Sequence, residues 1–189
     1  VDQLAKNNLV ANNRIHHCGQ LYHGCVGVWA GITDGTTVAH NEIHDLPYTG
    51  VSVGWMWNTT PTPCRANIVE HNHIHHVMQT LSDGGGIYTL GRQPGSVLRG
   101  NLIHDVPINA GRAESNGMFI DEGSSEILIE QNTIYNIARS PIRFHKAERD
   151  LVRKNVLVTA AGTPAFRYNA TDEKTMTFDG NVTPDAGMW

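Results

Sequence analysis

One residue type, recurring at one phase, constrains this chain more than any other feature. An Asn followed two places later by an aliphatic residue, and then usually by His, appears as Asn13-Arg14-Ile15-His16, Asn41-Glu42-Ile43-His44, Asn72-His73-Ile74-His75 and Asn101-Leu102-Ile103-His104. The pattern continues as Asn132-Thr133-Ile134-Tyr135 and Asn155-Val156-Leu157-Val158, and fades at Asn181-Val182-Thr183. Successive Asn residues stand 28, 31, 29, 31, 23 and 26 positions apart. Self-similarity at a period of roughly 20–50 residues marks a stacked repeat. A short alternating stretch precedes each Asn, as in residues 66–71 and 126–131, and another follows a glycine further on, as in residues 50–54, 86–90 and 117–121. Each unit therefore holds three short period-2 strands separated by Gly, Pro, Asn or Ser.

Strands this short cannot bury a face alone, so neighbouring units must stack. A periodic stack of three-strand coils is an all-β, right-handed parallel β-helix of about seven repeats, right-handed because parallel crossovers nearly always are. The recurring Asn suits such a stack twice over. It tolerates the left-handed backbone of a sharp bend, and its amide can bond the same residue one coil away, ~4.8 Å along the axis. An antiparallel sandwich also has short strands, but does not require one residue type at one phase. Residues 1–189 read as a single solenoid domain. Solenoids carry polar caps over their terminal coils, and the sequence shows none in full, so the chain reads as the central portion of a longer protein.

Composition narrows the function classes. A formal charge of −4 with 17% charged residues gives no electrostatic footprint for nucleic acid or an anionic membrane. No apolar run approaches the ~18 residues of a membrane span. Cys18, Cys25 and Cys64 fit neither a disulfide framework nor a zinc CxxC pattern.

The outward-facing residues are the candidates for chemistry. Aligning coils on Val26, Val51, Ile87, Met118 and Ile142 as the first inward residue makes Trp29, Gly54, Leu90, Asp121 and His145 one outward column. Gly27, Ser52, Tyr88, Phe119 and Arg143 form a second, and Asp83 aligns with Glu114. Asp121 beside His145, and Asp83 beside Glu114, are then expected neighbours at about 5 Å.

Residues 82–95, with Asp83-Gly84-Gly85-Gly86-Ile87-Tyr88, and residues 117–125, with Asp121-Glu122-Gly123-Ser124-Ser125, resemble secreted bacterial right-handed β-helix proteins, among them glycoside hydrolase family 141, which acts on α-L-fucosides and xylan. The match covers residues 70–147. The resemblance implies a secreted or periplasmic glycosidase acting on an oligo- or polysaccharide as a monomer in full-length form, with Asp83 and Asp121 as the catalytic carboxylates. Tyr88, Arg143, His145, Glu114 and Glu122 would then bind or orient substrate, and Trp29 and Trp55, with Trp57, would offer flat faces for sugar rings.

Geometry sets a condition on the pair. On straight strands Asp83 and Asp121 would stand about 23 Å apart, whereas glycoside hydrolysis needs carboxyls within ~5–9.5 Å. The pair requires a bend at Gly84-Gly85-Gly86, which three glycines permit; otherwise Asp121 would depend on Glu122 or on residues elsewhere. A polysaccharide lyase using Arg143, Lys146 or His145 as base, and a non-catalytic glycan-binding or structural β-helix, are the alternatives. No metal or other cofactor is expected. His16, His44, His75, His104 and Tyr135 recur one per coil and read as a stacked row, which does not converge as zinc ligands must. Alternation sends His76 to the face opposite His71, His73 and His75, and Asp45 and Asp105 read as turn acceptors for backbone N–H groups. The six or more converging oxygens that calcium needs are not evident.

Overall fold

The computed structural model describes residues 3–107 and 114–188. Among the described residues all pairing between strands is parallel, in three long sheets and one two-stranded sheet of Ala5–Lys6 and Thr33–Asp34, joined by the winding of one chain. The first sheet stacks Val28–Ala30, Val51–Val53, Gly84–Thr89, Ser115–Ile120, Ile142–His145 and Phe166–Asn169. The second runs from Leu9–Ala11 to Thr177–Asp179, and the third from Arg14–His16 to Val156–Leu157. This is the three-strand coil that the Asn spacing predicts, wound as a β-helix.

Each sheet contributes one inward aliphatic column. Val51, Ile87, Met118 and Ile142 come from the first sheet, Val38, Val69, Leu98, Ile129 and Val152 from the second, and Ile43, Ile74, Ile103, Ile134 and Leu157 from the third; all are buried. Like side chains stack in register from coil to coil, and each buried aliphatic contributes about 1.5–3 kcal/mol.

The Asn column is continuous. From Asn13 through Asn41, Asn72, Asn101, Asn132 and Asn155 to Asn181, each Nδ2 donates to the next Oδ1 over 2.8–3.0 Å. The same Oδ1 also accepts the neighbouring Asn backbone N–H. The left-handed bend, however, belongs to the residue before each Asn (Asn12, His40, His71, Gly100, Gln131, Lys154 and Gly180, all with positive φ). The bend turns the chain so that the following Asn side chain points into the stack. A second, mixed ladder that composition does not reveal joins Asn8, Thr36, Asn67 and Ser96, and Asp150 bonds the Ile127 N–H at the same kind of position.

Glycine marks the corner into the first sheet. A Cβ on Gly50, Gly86 or Gly117 would meet the inward Ile74, Ile103 or Ile134 of the third sheet at 2.8, 2.6 and 2.6 Å, and one on Gly27 would meet Ile43 at 2.9 Å. The residue after each glycine (Val28, Val51, Ile87, Met118) also packs inward. Two successive residues facing the core break the period-2 alternation, so the chain turns there. Strand register confirms Val28, not Val26, as the partner of Val51. Trp29 therefore stands in the column of Ser52, Tyr88, Phe119 and Arg143, two places from the one expected. The expected alignment counted from Gly24 and overlooked Gly27 as the corner.

Candidate active site

The chain turns at Gly86, between Asp83 and the inward Ile87, which is the kind of bend that the Asp83–Asp121 pair requires. Asp83 has φ +68° and its backbone N–H bonds the Glu114 carbonyl, in the register expected. It lines a cavity of about 410 Å³ together with Tyr48, Tyr88, Trp29, Trp55 and Trp57. Tyr48 donates from its hydroxyl to the Asp83 carbonyl at 2.7 Å, tying this segment to the preceding coil. Tyr88 then links the cavity to Asp121, donating to Oδ2 at 2.5 Å. On the next coil His145 Nδ1 lies 2.7 Å from Asp121 Oδ1, as the column of Asp121 and His145 predicts. Asp121 is only 5% exposed.

The electrostatics differ between the two acids. Burial raises the Asp83 carboxyl above the ordinary carboxylate range, and the nearby Asp121 charge adds to it, while Arg143 and His145 pull the other way. Burial, the bond to Asp121 and its charge drive the Tyr88 hydroxyl far above an ordinary phenol, so it remains a donor. Asp83 is thus shifted toward its neutral form, and both Asp121 oxygens are engaged, Oδ2 by the Tyr88 hydroxyl and Oδ1 by the His145 ring. A substrate atom can reach Asp121 only by displacing, or acting through, Tyr88 or His145.

The remaining candidates divide. Arg143 lies over the buried Phe119 ring, its guanidinium carbon 4.5 Å from the centroid, with a buried Nη1 that has no hydrogen-bond partner. Phe119 shares the outward column yet is buried, because Tyr88, Arg143 and His145 cover it. Glu114 pairs with Arg167 two coils away, leaving Oε2 buried and unpartnered. Glu122 is held by Lys146 at 2.9 Å, so Lys146 is engaged as an ion-pair partner. Trp29, Trp55 and Trp57 form an edge-to-face cluster, 5.5 and 4.7 Å between centroids, and stay half-exposed at the cavity rim. Tyr48 was not a sequence candidate; only its bond to Asp83 brings it into the site.

On the third sheet the imidazoles stack. His16, His44, His75 and His104 lie 5.0–5.1 Å apart with ring planes within 10° of parallel, and Tyr135 follows at 4.7 Å. His76 does not go to the opposite face. Its positive φ breaks the alternation and brings its Nδ1 2.8 Å from that of His75. Asp45 and Asp105 likewise have positive φ and use their carboxylates on the preceding rings, at 2.7 Å from His44 Nδ1 and 2.6 Å from His104 Nδ1, rather than as turn acceptors.

Stacked parallel coils and a continuous Asn column define a right-handed parallel β-helix solenoid. A family model for the right handed beta helix region matches residues 62–186, and the chain belongs to that family. A solved structure described as a glycoside hydrolase is similar to it at 25% identity and a TM-score of 0.69. The alignment covers 96% of this chain and 26% of that one, so the chain spans about a quarter of the longer protein. No curated protein matches.

Proposed function

We propose that this β-helix is carbohydrate-active and serves glycoside hydrolysis, with Asp83 as the proton donor and Asp121 as the fixed anion. One observation carries the reading: Asp83, biased toward its neutral form by burial, lines one cavity with Tyr88, and Tyr88 in turn donates to Asp121, a second acid held through both oxygens by Tyr88 and His145. Glycosidic cleavage needs that asymmetry, one carboxyl protonating the leaving oxygen while the other supports the oxocarbenium-like transition state. The Trp29–Trp55–Trp57 cluster beside it offers apolar faces for sugar rings.

The similar structure described as a glycoside hydrolase supports a carbohydrate substrate. The resemblance of residues 82–95 and 117–125 to glycoside hydrolase family 141 supports α-L-fucosides and xylan as the first compounds to try, and a secreted or periplasmic setting. The test measures reducing-sugar release from a panel of such glycans by the wild type, Asp83→Asn and Asp121→Asn. Each variant should lose about 10²–10⁴-fold in kcat while retaining glycan binding on an affinity gel. Wild-type rates in both variants would remove the assignment, and an unsaturated product absorbing in the ultraviolet would mark a lyase instead.

A further inference from the structure

Within a single row, imidazoles stacked about 5 Å apart do not converge on one ion. Register supplies what the row lacks. Two outward rows run side by side on the third sheet. One is Arg14, Glu42, His73, Leu102 and Thr133; the other is His16, His44, His75, His104 and Tyr135. Only the coil carrying His73 and His75 puts an imidazole in both rows. Its neighbours on the two sides are Glu42, opposite His73, and His104, opposite His75.

We propose that Glu42, His73, His75 and His104 form a binding site for a divalent transition metal of the zinc type, spanning three consecutive coils on a different sheet from the candidate active site. One ligand atom each from Glu42, His73 and His75 lies within 4.8 Å of the others; His104 stands outside that set of three, with its Nε2 2.7 Å from His73 Nε2, and would complete the site by rotating toward it. Tetrahedral ligands ~2.1 Å from an ion stand ~3.4 Å apart, so entry needs only side-chain rotations of the size that partly exposed residues make.

The outer partners are already arranged. Asp105 Oδ2 lies 2.6 Å from His104 Nδ1 and accepts its hydrogen, which turns His104 Nε2 toward His73 Nε2 2.7 Å away, where a metal would replace the hydrogen the two rings share. A carboxylate behind a ligating imidazole fixes the tautomer and raises basicity in known zinc sites. His44 is withdrawn from the set, because Arg14 Nε lies 3.2 Å from its Nε2 and 3.0 Å from Glu42 Oε2. Three nitrogens and one carboxylate oxygen suit Zn²⁺, Co²⁺, Ni²⁺ or Cu²⁺ rather than Ca²⁺ or Mg²⁺. With all four positions supplied by the chain, such a site is structural, a cross-coil staple rather than a catalytic centre.

The test titrates Zn²⁺ into metal-free, untagged full chain by calorimetry at pH 7.5, and Co²⁺ by visible absorption. The expected result is one equivalent of Zn²⁺, the intense spectrum of four-coordinate Co²⁺ and a Zn²⁺-dependent rise in Tm. His73→Ala and His104→Ala should abolish all three, and Asp105→Asn should weaken binding by about 10–100-fold. His71→Ala, which alters a separate stacked pair with His40, should leave them intact. Far-ultraviolet circular dichroism of each metal-free variant separates lost binding from lost folding. No binding by the wild type, or binding that survives in folded His73→Ala, overturns the proposal.

Discussion

At the scale of single residues, Asp150 stands apart from the other acids. It is 1% exposed, its Oδ1 accepts the Ile127 N–H at 3.0 Å, and its Oδ2 is buried with no partner. Burial pushes its carboxyl up to about 8, although the Ile127 bond and the Arg149 charge oppose the shift. The sign follows from linkage. The folded state keeps a proton that the unfolded chain releases near 3.8, so this contribution is full below pH 3.8 and is lost as pH rises toward 8. The corresponding places in earlier coils hold Asn8, Thr36 and Asn67, which bond without ionising. Asp150→Asn should therefore match the wild type in stability only at and below about pH 4, exceed it increasingly toward pH 8, and flatten the slope between. Urea midpoints across that range check this, and a variant that parallels the wild type at every pH would show the carboxyl already ionised.

At the scale of elements, the Asn column makes a prediction about position within the stack. Asn101 is 1% exposed, accepts from Asn72 through its Oδ1, and donates to the Val69 carbonyl and Asn132 Oδ1. Asn101→Ala takes their side-chain partner from the buried Asn72 backbone N–H and the Val69 carbonyl and leaves Asn132 Oδ1 only the residue-101 backbone N–H, at about 1–3 kcal/mol for each group left unsatisfied. Asn13 is exposed, and water can replace its partners. Asn13→Ala should cost about 1 kcal/mol or less, so denaturant midpoints should separate the two variants clearly. The column was legible in the sequence because its bonds demand one side chain at one phase. The corner glycines were legible only in part. Gly50, Gly86 and Gly117 precede their inward residues directly, but Gly24 competes with Gly27 in the first complete coil and displaced Trp29 by two places. Alternation sufficed to pair Asp121 with His145, since both end their strands at the same phase. It could not find Tyr48, whose contact with Asp83 depends on how the chain folds over the Gly84–Gly86 corner, nor the Glu42–His73–His104 diagonal, which exists only once the register of three coils is known. Left-handed residues such as His76 and Asp105 were likewise misplaced by a rule that assumes an unbroken pleat.

At the scale of the whole molecule, these local features meet in one observable, the dependence of stability on pH. The imidazole column joins four coils, and within it burial and mutual repulsion lower His75, and lower His73 beside it. The folded state binds fewer protons at these sites than the unfolded chain, whose imidazoles titrate near 6.5. Their contribution is complete above pH 6.5 and is lost as pH falls through the folded values. Asp150 acts in the opposite sense, losing its contribution as pH rises toward about 8. The two trends oppose each other below pH 6.5 and leave only the Asp150 decline above it. In metal-free protein the wild type should therefore be most stable between about pH 5 and 6.5 and weaken toward pH 8. Asp150→Asn should expose the imidazole limb alone, flat above pH 6.5 and falling below it. Because stacked coils share interfaces with their neighbours, that loss should lower a single cooperative transition rather than release one coil. Urea denaturation followed by both tryptophan fluorescence and far-ultraviolet circular dichroism distinguishes the two cases. Coincident transitions support coupling through the column, and a separate early fluorescence transition from the Trp29–Trp55–Trp57 coils would show that the protonated stack comes apart in pieces.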